Sequence, residues 1–322
     1  MGSYPCLRQP YLVYDAHRSF EAATSRCVGR ASGIGAACRR EGNLPQRGNA
    51  LPKPRSFRVS DVLALGFAAA ILTVFAWLHH AEFPFAGRRF LTALAITAGF
   101  ALLAWFAGGV NLSGALAGSA VAFIMAVRDL RMFLALLVVF AVTLVATRVG
   151  HARKLQLRTA EPPGGRTAAQ AMANLGIAAL VVAVAGQAWP VLALAALAEA
   201  AGDTSSSEIG MAFPGKTWMI TTFQPVTAGT DGGISLFGTI AALLGAAGVA
   251  VAAVVTGLAP ISQIATIILA GFFGTIVDSL LGAVFERRGW LDNDLVNLLS
   301  TAAAVGMAWG LGSSFEFILL LI

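Results

Sequence analysis

Three carboxylic acids, Asp203, Glu208 and Asp278, lie at the ends of long apolar runs or inside them. An ionisable group is costly in such a place and usually serves a function. Carboxylates near lipid need a cation partner, and hard oxygen ligands suit Mg²⁺. Basic side chains elsewhere in the polar segments suit phosphate, namely Arg153, Lys154, Arg166 and Lys216. Together these residue types are the components of metal-assisted phosphoryl transfer.

Most of these groups belong to one polar stretch, Gly202 to Gly233, which separates two apolar runs. It ends in a glycine turn around Asp231, where backbone N–H groups could approach an anion. The next apolar run begins at this turn, so the positive end of its helix would favour the same anion. We interpret the stretch as half of an active site. Asp278 and the polar residues after it form the other half.

Each of these signals also has a structural explanation. Residues 229–233, Gly-Thr-Asp-Gly-Gly, have no Walker spacing and would serve as an ordinary turn. Asp203 and Glu208 would also be explained as residues that cap and terminate a helix. Asp278 lies in the middle of an apolar run, so its structural alternative is an ion pair with a buried Arg or Lys.

The composition indicates a polytopic helical membrane protein of the all-α class. Hydrophobic residues make up 57% of the 322-residue chain and charged residues 12%, whereas a soluble domain is roughly a quarter charged. The mean hydropathy is +0.76. Several runs approach the roughly 20 apolar residues that span a bilayer.

We predict a single membrane domain, residues 59–322, with about nine transmembrane helices. Alanine and glycine dominate the apolar runs, and spacings such as Gly114-xxx-Gly118 and Gly306-xxx-Gly310 suit close helix packing. These spacings permit a homodimer without requiring one. The predicted spans are 61–79, 89–107, 111–127, 131–148, 168–186, 189–202, 233–257, 262–285 and 295–321.

Residues 1–58 form a basic N-terminal tail that we expect to be disordered. The tail holds ten Lys and Arg against three Asp and Glu, so it carries the excess positive charge of the chain. We interpret this charge as a cytoplasmic flank that fixes topology, and we expect no nucleic-acid partner.

The positive-inside rule then places the basic loop 148–167 in the cytoplasm as well. The predicted loops 203–232 and 286–294 fall on the same side, while the connections on the opposite side are short. We therefore predict a cytoplasmic N-terminus, an integral protein of the bacterial inner membrane, and active loops that all face the cytoplasm.

Six motifs carry a resemblance to a known family. They are GGRTAAQAMAN (164–174), GDTSSSEIG (202–210), ITT (220–222), VTAGTDGGISLFGT (226–239), VDSLLGA (277–283) and NDLVN (293–297). In order and spacing they resemble the integral membrane family called domain of unknown function 92, over roughly residues 60–320. The resemblance implies a multi-span helical protein. The characterised plant branch of that family implies a nucleotide-dependent kinase that acts on an isoprenyl monophosphate.

The resemblance also implies which polar residues belong to the site. Ser205-Ser206 and Gln224-Pro225 depart from the family pattern, which usually has Trp-Ala after Asp-Thr and a cation before the Val of the glycine turn. Lys216 is a candidate replacement for that cation. The matching positions are Arg166, Gln170, Asn174, Asp203, Glu208, Thr230, Gly232, Gly233, Asp278, Asn293, Asp294 and Asn297.

The expected reaction is transfer of a phosphoryl group from CTP or ATP to the lipid phosphate, with the prenyl tail among the apolar spans. Asp203, Glu208 and Asp278 are expected to hold Mg²⁺, while Arg166 and Lys216 stabilise the transferring group. No separate base is needed, because the attacking phosphate oxygen is already anionic. The expected substrate-binding residues are Gln170, Asn174, Gly229, Thr230, Gly232, Gly233 and Asn297.

A transporter or lipid flippase is the alternative function. Acids inside a membrane and broken helices with small residues also serve transport. The short span 189–202, followed by a polar stretch, would suit a discontinuous helix.

Overall fold

A computed structural model describes residues 58–80, 87–157, 159, 164–186, 188–213 and 215–321, with side chains through residue 312. The tail predicted for residues 1–58 lies outside the described residues except for Arg58. The membrane domain is helical throughout, apart from one small sheet.

Ten α-helices follow one another along the described chain. Nine of them correspond to the nine predicted apolar runs, and α5 is a short helix within the predicted loop 148–167. The helices are α1 (Val59–His79), α2 (Arg88–Phe106), α3 (Leu112–Arg128), α4 (Leu130–Arg148), α5 (His151–Leu157), α6 (Ala168–Val184), α7 (Trp189–Ala212), α8 (Leu236–Val255), α9 (Ile264–Val284) and α10 (Asn293–Leu321).

Helix α7 lies at the centre of the bundle, where it packs against α4, α6, α8, α9 and α10. Small residues make this packing close. A Cβ on Gly245 of α8 would lie 2.6 Å from the carbonyl oxygen of Ala201, and one on Gly271 of α9 would lie 2.7 Å from the Cβ of Ala198. Neighbouring helices therefore approach α7 almost backbone to backbone, as small-residue interfaces allow.

Helix α7 extends ten residues beyond the predicted end of its span at residue 202. Asp203 and Glu208 therefore lie inside a helix, and the prediction that residues 203–212 form a loop is wrong. Hydroxyl groups in this part bond back into the helix: Ser205 Oγ donates to the carbonyl of Ala201 at 2.6 Å, and Ser207 Oγ to that of Asp203 at 3.2 Å. The hydroxyl groups thus find hydrogen-bond partners within the helix, so these polar residues do not end it.

A three-stranded antiparallel sheet connects α7 to α8, which the sequence analysis did not predict. The strands β1 (Thr217–Met219), β2 (Pro225–Val226) and β3 (Gly233–Ser235) lie in the order β2-β1-β3. Residues 233–235 are therefore strand, and α8 begins three residues later than the predicted start at 233. The sheet holds the glycine turn between β2 and β3 against the bundle.

Two N-caps position the start of α6 beside that of α3. Asn111 Oδ1 accepts a hydrogen bond from the N–H of Gly114 at 2.8 Å and caps α3. Thr167 and Gln170 form a capping box at the start of α6. A parallel bridge joins Val110 to Arg166 directly before these helices. This bridge holds the backbone of Arg166 at the helix ends.

Six helical segments of the described chain are long and apolar enough to cross a membrane, not the nine predicted. Helices α3 and α6 have 17 residues each, about 26 Å at 1.5 Å per residue, which is short of a hydrocarbon core of about 30 Å. Helix α7 is long enough but carries several carboxylic acids. The six are Val59–His79, Arg88–Phe106, Leu130–Arg148, Leu236–Val255, Ile261–Arg288 and Asn293–Gly312.

Candidate active site

One polar cavity of about 240 Å³ gathers eleven of the twelve predicted site residues. Helices α6, α7, α9 and α10 supply its walls, together with the turn between β2 and β3. The predicted residues in its lining are Arg166, Gln170, Asn174, Asp203, Glu208, Gly229, Thr230, Gly232, Gly233, Asp278 and Asn297. Segments that are more than a hundred residues apart in sequence therefore meet at one place.

Asp203 of α7 and Asp278 of α9 form the acidic centre of this cavity. Both side chains line the cavity, and their carboxyl groups are close enough to interact electrostatically. Oδ2 of Asp278 is buried and has no hydrogen-bond partner within the described part of the chain. Two adjacent carboxylates with an unpartnered oxygen are an arrangement that a cation would stabilise.

Glu199 is a third acid near this pair, and the sequence analysis missed it. It lies one helical turn before Asp203 and is only 1% exposed. Its Oε1 accepts a hydrogen bond from Ser300 at 2.7 Å, whereas its Oε2 has no partner among the described residues. The sequence did contain a signal for Glu199: it is an isolated acid in an alanine-rich run. It also lies four residues before Asp203, and therefore on the same helix face.

Glu208 lines the cavity but is already paired with Lys154. The Nζ of Lys154 lies 2.5 Å from Oε2 of Glu208 and also donates to the carbonyls of Ala146 and Thr147. All three ammonium protons are therefore used. The pairing corrects the prediction that Lys154 offers its charge to phosphate, and it sets Glu208 apart from the Asp203–Asp278 pair.

Arg166 is the basic side chain that lines the cavity, and its charge acts on Asp203. Its backbone is held on both sides: its N–H donates to the carbonyl of Gly109 at 3.0 Å, and its carbonyl accepts from Asn111 at 3.0 Å. Arg153, which the sequence analysis grouped with the phosphate-binding cations, donates through Nε to the carbonyl of Met211.

Three helices point their N-terminal ends at the cavity. Gln170 and Asn174 stand in the first two turns of α6, Asn293 and Asn297 in those of α10, and Ser235 caps α8. The partial positive charge of a helix N-terminus favours anions such as phosphate. The sequence analysis predicted this for α8 alone, because the convergence of α6 and α10 depends on the tertiary fold.

The glycine turn approaches α9 closely. Gly229 has φ +86° and Gly232 has φ +74°, values that favour glycine. A Cβ on Gly232 would lie 2.7 Å from both the nitrogen and the Cα of Ala283. The turn thus rests on the helix that carries Asp278, one turn beyond that residue.

Lys216 does not line the cavity, in contrast to the other predicted catalytic residues. It is exposed and lies directly before β1. Its assignment as a phosphoryl-stabilising group therefore has no support from the geometry. Glu286 and Asp231, which the site prediction did not include, do line the cavity.

The carboxylates do not form a complete metal site by themselves. Within the ranges that the structure describes, no group of three or more His, Cys, Asp and Glu side chains is arranged to hold a metal ion. The predicted set of Asp203, Glu208 and Asp278 is therefore reduced to the first and last. Two carboxylates still fit Mg²⁺, which proteins usually bind through one or two carboxylates plus substrate phosphates and water.

Comparison with known proteins identifies relatives among membrane proteins. An uncharacterized membrane protein of Synechocystis sp. is 30% identical over 256 residues, which cover 75% of this chain and 96% of the relative. An uncharacterized membrane protein of Methanocaldococcus jannaschii is 35% identical over 172 residues, 52% of this chain and 70% of the relative. Protein VTE6, chloroplastic, of Arabidopsis thaliana is 31% identical over 181 residues, 52% of this chain and 54% of the relative. No solved structure matches the chain.

The family model for integral membrane protein DUF92 matches residues 95–305. This range contains every residue of the polar cavity and all six motifs of the resemblance. The chain therefore belongs to the integral membrane protein DUF92 family.

Proposed function

We propose that this chain is an integral membrane kinase that transfers a phosphoryl group from a nucleoside triphosphate to an isoprenyl monophosphate. The observation that carries the proposal is the polar cavity. It combines the Asp203–Asp278 pair with Arg166 and with the N-terminal ends of three helices. The two aspartates would bind a divalent cation, and Arg166 and the helix N-termini would bind phosphate oxygens.

The charge of the cavity argues for a metal–nucleotide complex rather than a bare phosphate. Among the described residues, five carboxylic acids line it against one arginine, namely Asp203, Glu208, Asp231, Asp278 and Glu286. Lys154 compensates only Glu208. A phosphate would meet repulsion unless a cation accompanied it. Asp203 and Asp278 would hold Mg²⁺, which would offset the charge that develops on the transferring phosphoryl group.

The remaining residues bind and orient the two phosphate groups. The charge of Arg166 acts on Asp203, and in the same cavity it would neutralise oxygens of the transferring group. The glycine turn and the N-terminus of α8 would hold the nucleotide phosphates. Asn174 of α6 and Asn297 of α10 would donate hydrogen bonds to the lipid phosphate.

In the proposed reaction, an oxygen of the lipid monophosphate forms a bond to the γ-phosphorus of the nucleotide. The bond from that phosphorus to the β,γ-bridging oxygen breaks, and the nucleoside diphosphate leaves with the electron pair. The products are an isoprenyl diphosphate and a nucleoside diphosphate. No proton is transferred, because the attacking oxygen is ionised at neutral pH.

Family membership supports this assignment. The resemblance implies isoprenyl-phosphate kinase activity for the plant branch of the family, and the relatives include a chloroplastic plant protein. We propose CTP or ATP as the phosphoryl donor. We also propose that the cavity faces the cytoplasm, where nucleotides are abundant and where the basic loop 148–167 is expected.

The test uses purified protein in lipid nanodiscs with Mg²⁺, γ-labelled CTP or ATP, and isoprenyl monophosphates of several lengths. We expect label in an isoprenyl diphosphate. Asp203→Asn and Asp278→Asn should each lower the rate by at least about 100-fold, since a metal-binding charge is lost. Asp129→Asn is the matched control, because Asp129 lies between α3 and α4 and does not line the cavity.

Full activity in both cavity variants would contradict the metal assignment. Absence of transfer with either nucleotide, in wild-type protein that elutes as one folded species, would contradict the kinase and favour the transporter or flippase. Uptake of a labelled isoprenyl phosphate across a vesicle membrane would then be the decisive measurement.

A further inference from the structure

We propose that a second, apolar cavity is the binding site for the isoprenyl chain, and that it continues from the phosphate site through one shared wall. The inference rests on the proposed function for the nature of the head group. It goes further by locating the hydrocarbon tail inside the protein, among α2, α3, α4 and α6, rather than in the surrounding lipid.

The second cavity has a volume of about 230 Å³ and a mostly apolar lining. Phe100 of α2 and Phe140 of α4 meet edge to face in it, with ring centroids 5.1 Å apart. Leu136 and Val139 of α4 and Leu175 of α6 add aliphatic surface. A branched hydrocarbon chain would fill this space and gain van der Waals contacts with the surrounding side chains.

Three residues line both cavities: Arg166, Gln170 and Asn174. They form a polar boundary, with the acidic pair on one side and hydrocarbon on the other. A molecule with an anionic head and an apolar tail fits this arrangement, since its phosphate would lie at the boundary and its chain beyond it. The shared wall thus matches an isoprenyl monophosphate better than a soluble phosphate ester.

Another apolar cavity offers a comparison. It has a volume of about 220 Å³ and is lined by Leu72, Phe75, Phe90, Phe123 and neighbouring residues. It shares no residue with the polar cavity. An apolar lining alone therefore does not distinguish the two apolar cavities. The residues shared with the phosphate site favour the cavity beside Arg166 as the site for the tail.

Gly118 of α3 provides a way to fill the proposed tail site. It lines the apolar cavity, and a Cβ there would meet no atom within 4 Å. A phenylalanine at this position would occupy space that the chain needs. Gly99 of α2 is a matched control, because it is also a helical glycine with no atom within 4 Å of its Cβ, but it is exposed and does not line the cavity.

The experiment uses a long isoprenyl monophosphate with a diazirine near the end of its chain, bound to the full-length protein in nanodiscs without nucleotide. After irradiation, peptide mapping locates the label. We expect it on α3 and α4 at the residues of the apolar cavity. Gly118→Phe should lower this labelling at least about tenfold, because the ring would occupy the volume that the tail needs, while Gly99→Phe should not.

A kinetic comparison completes the test. Gly118→Phe should lose transfer to the long substrate but keep transfer to dimethylallyl monophosphate, whose short chain does not need the cavity. Label only on outward surfaces of the bundle, or equal loss for both substrates with Gly118→Phe folded, would overturn the tail site. Labelling in the cavity with no transfer from any nucleotide would instead overturn the kinase and leave the tail site intact.

Discussion

Lys154 Nζ lies 2.5 Å from Glu208 Oε2, and the two side chains are only 1% and 7% exposed. The pair joins α5 to α7. The same ammonium group also bonds to two carbonyls at the end of α4. Lys154 thus connects three helices beside the candidate active site. This indicates a structural role for both Lys154 and Glu208.

Lys154→Met should destabilise the protein by roughly 3–5 kcal/mol, because it leaves the carboxylate of Glu208 buried without a partner. Glu208→Gln should cost less, since a glutamine oxygen can still accept from Lys154. The double variant Lys154→Met/Glu208→Gln should be more stable than Lys154→Met alone. Thermal unfolding in detergent, followed by loss of the monodisperse peak, measures all three.

Arg131→Met is the control for that comparison. Arg131 pairs with Asp129 on the surface, where its side chain is 47% exposed. Exposed pairs contribute about 0–1 kcal/mol. Equal losses of stability in Lys154→Met and Arg131→Met would show that the buried pair has no special importance.

Gly232→Ala should lower activity more than an alanine at another left-handed glycine position would. A left-handed residue other than glycine costs about 1–2 kcal/mol. At Gly232 the added Cβ would also overlap the backbone of Ala283, which would push the glycine turn away from α9. Gly289→Ala is the control, because Gly289 has a similar φ of +70° and open space around its Cβ.

Both glycine variants should lose a similar amount of stability from the backbone, but only Gly232→Ala should lose most of its phosphoryl transfer. The rate is measured at saturating Mg²⁺ and nucleotide. Equal activity in the two variants would argue against a role of the turn in binding phosphate.

Asp129 should give the protein a pH-dependent increment of stability. Burial raises the pKa of Asp129, but the hydrogen bonds and the charge of Arg131 outweigh burial and hold the pKa below its usual 3.8. A lowered pKa means that the stabilisation is complete above about pH 4 and is lost as the pH falls through the folded-state value. Because Arg131 is exposed, we expect an increment of at most about 1 kcal/mol.

Asp129→Asn keeps a side-chain oxygen to cap α4 and removes only the charge. Wild type should therefore unfold at a slightly higher temperature than this variant at pH 7, and the difference should shrink as the pH falls below about 4. A difference that persists at low pH would assign the effect to the cap rather than to the ion pair.

Chelation of divalent cations should abolish phosphoryl transfer, and added Mg²⁺ should restore it. Asp203→Asn should raise the Mg²⁺ concentration for half-maximal rate by at least about tenfold. Asp129→Asn, which alters an acid outside the cavity lining, should not. Binding of Mn²⁺ in the presence of a non-hydrolysable nucleotide, read by electron paramagnetic resonance, reports the site without turnover. Wild-type binding in both variants would refute the assignment.

Rare polar residues in an apolar chain have few explanations, so the polar motifs could be singled out as candidate site residues. Arg166, Asp203 and Asp278 came from composition and spacing, and they lie at one cavity. Glu199 escaped prediction because a single acid in an alanine run has no local partner in sequence. Lys154 was assigned to phosphate because its partner, Glu208, lies 54 residues away and only the packing of α5 on α7 joins them.

The apolar runs predicted nine of the ten helices, whereas they overestimated the number that can cross the membrane unaided. An apolar run shows where a helix lies but does not fix where the helix ends. Helices α3 and α6 were therefore counted as spans, although they are shorter than the other membrane-crossing helices. The end of α7 was predicted ten residues too early, because serine and threonine favour turns unless their hydroxyls bond to the preceding helical turn. The small sheet has strands too short for an alternating pattern to be visible.

The central position of α7 bears on how the chain is inserted during synthesis. An aspartate at the middle of a lone helix opposes entry into lipid by about 2.5–3.5 kcal/mol, and α7 carries Glu199 and Asp203 with few compensating groups of its own. Ser300, which bonds to Glu199, and the helices α8, α9 and α10 all emerge from the ribosome later. We therefore expect α7 to integrate stably only when the C-terminal helices have been made, at the same stage as the acidic cavity assembles.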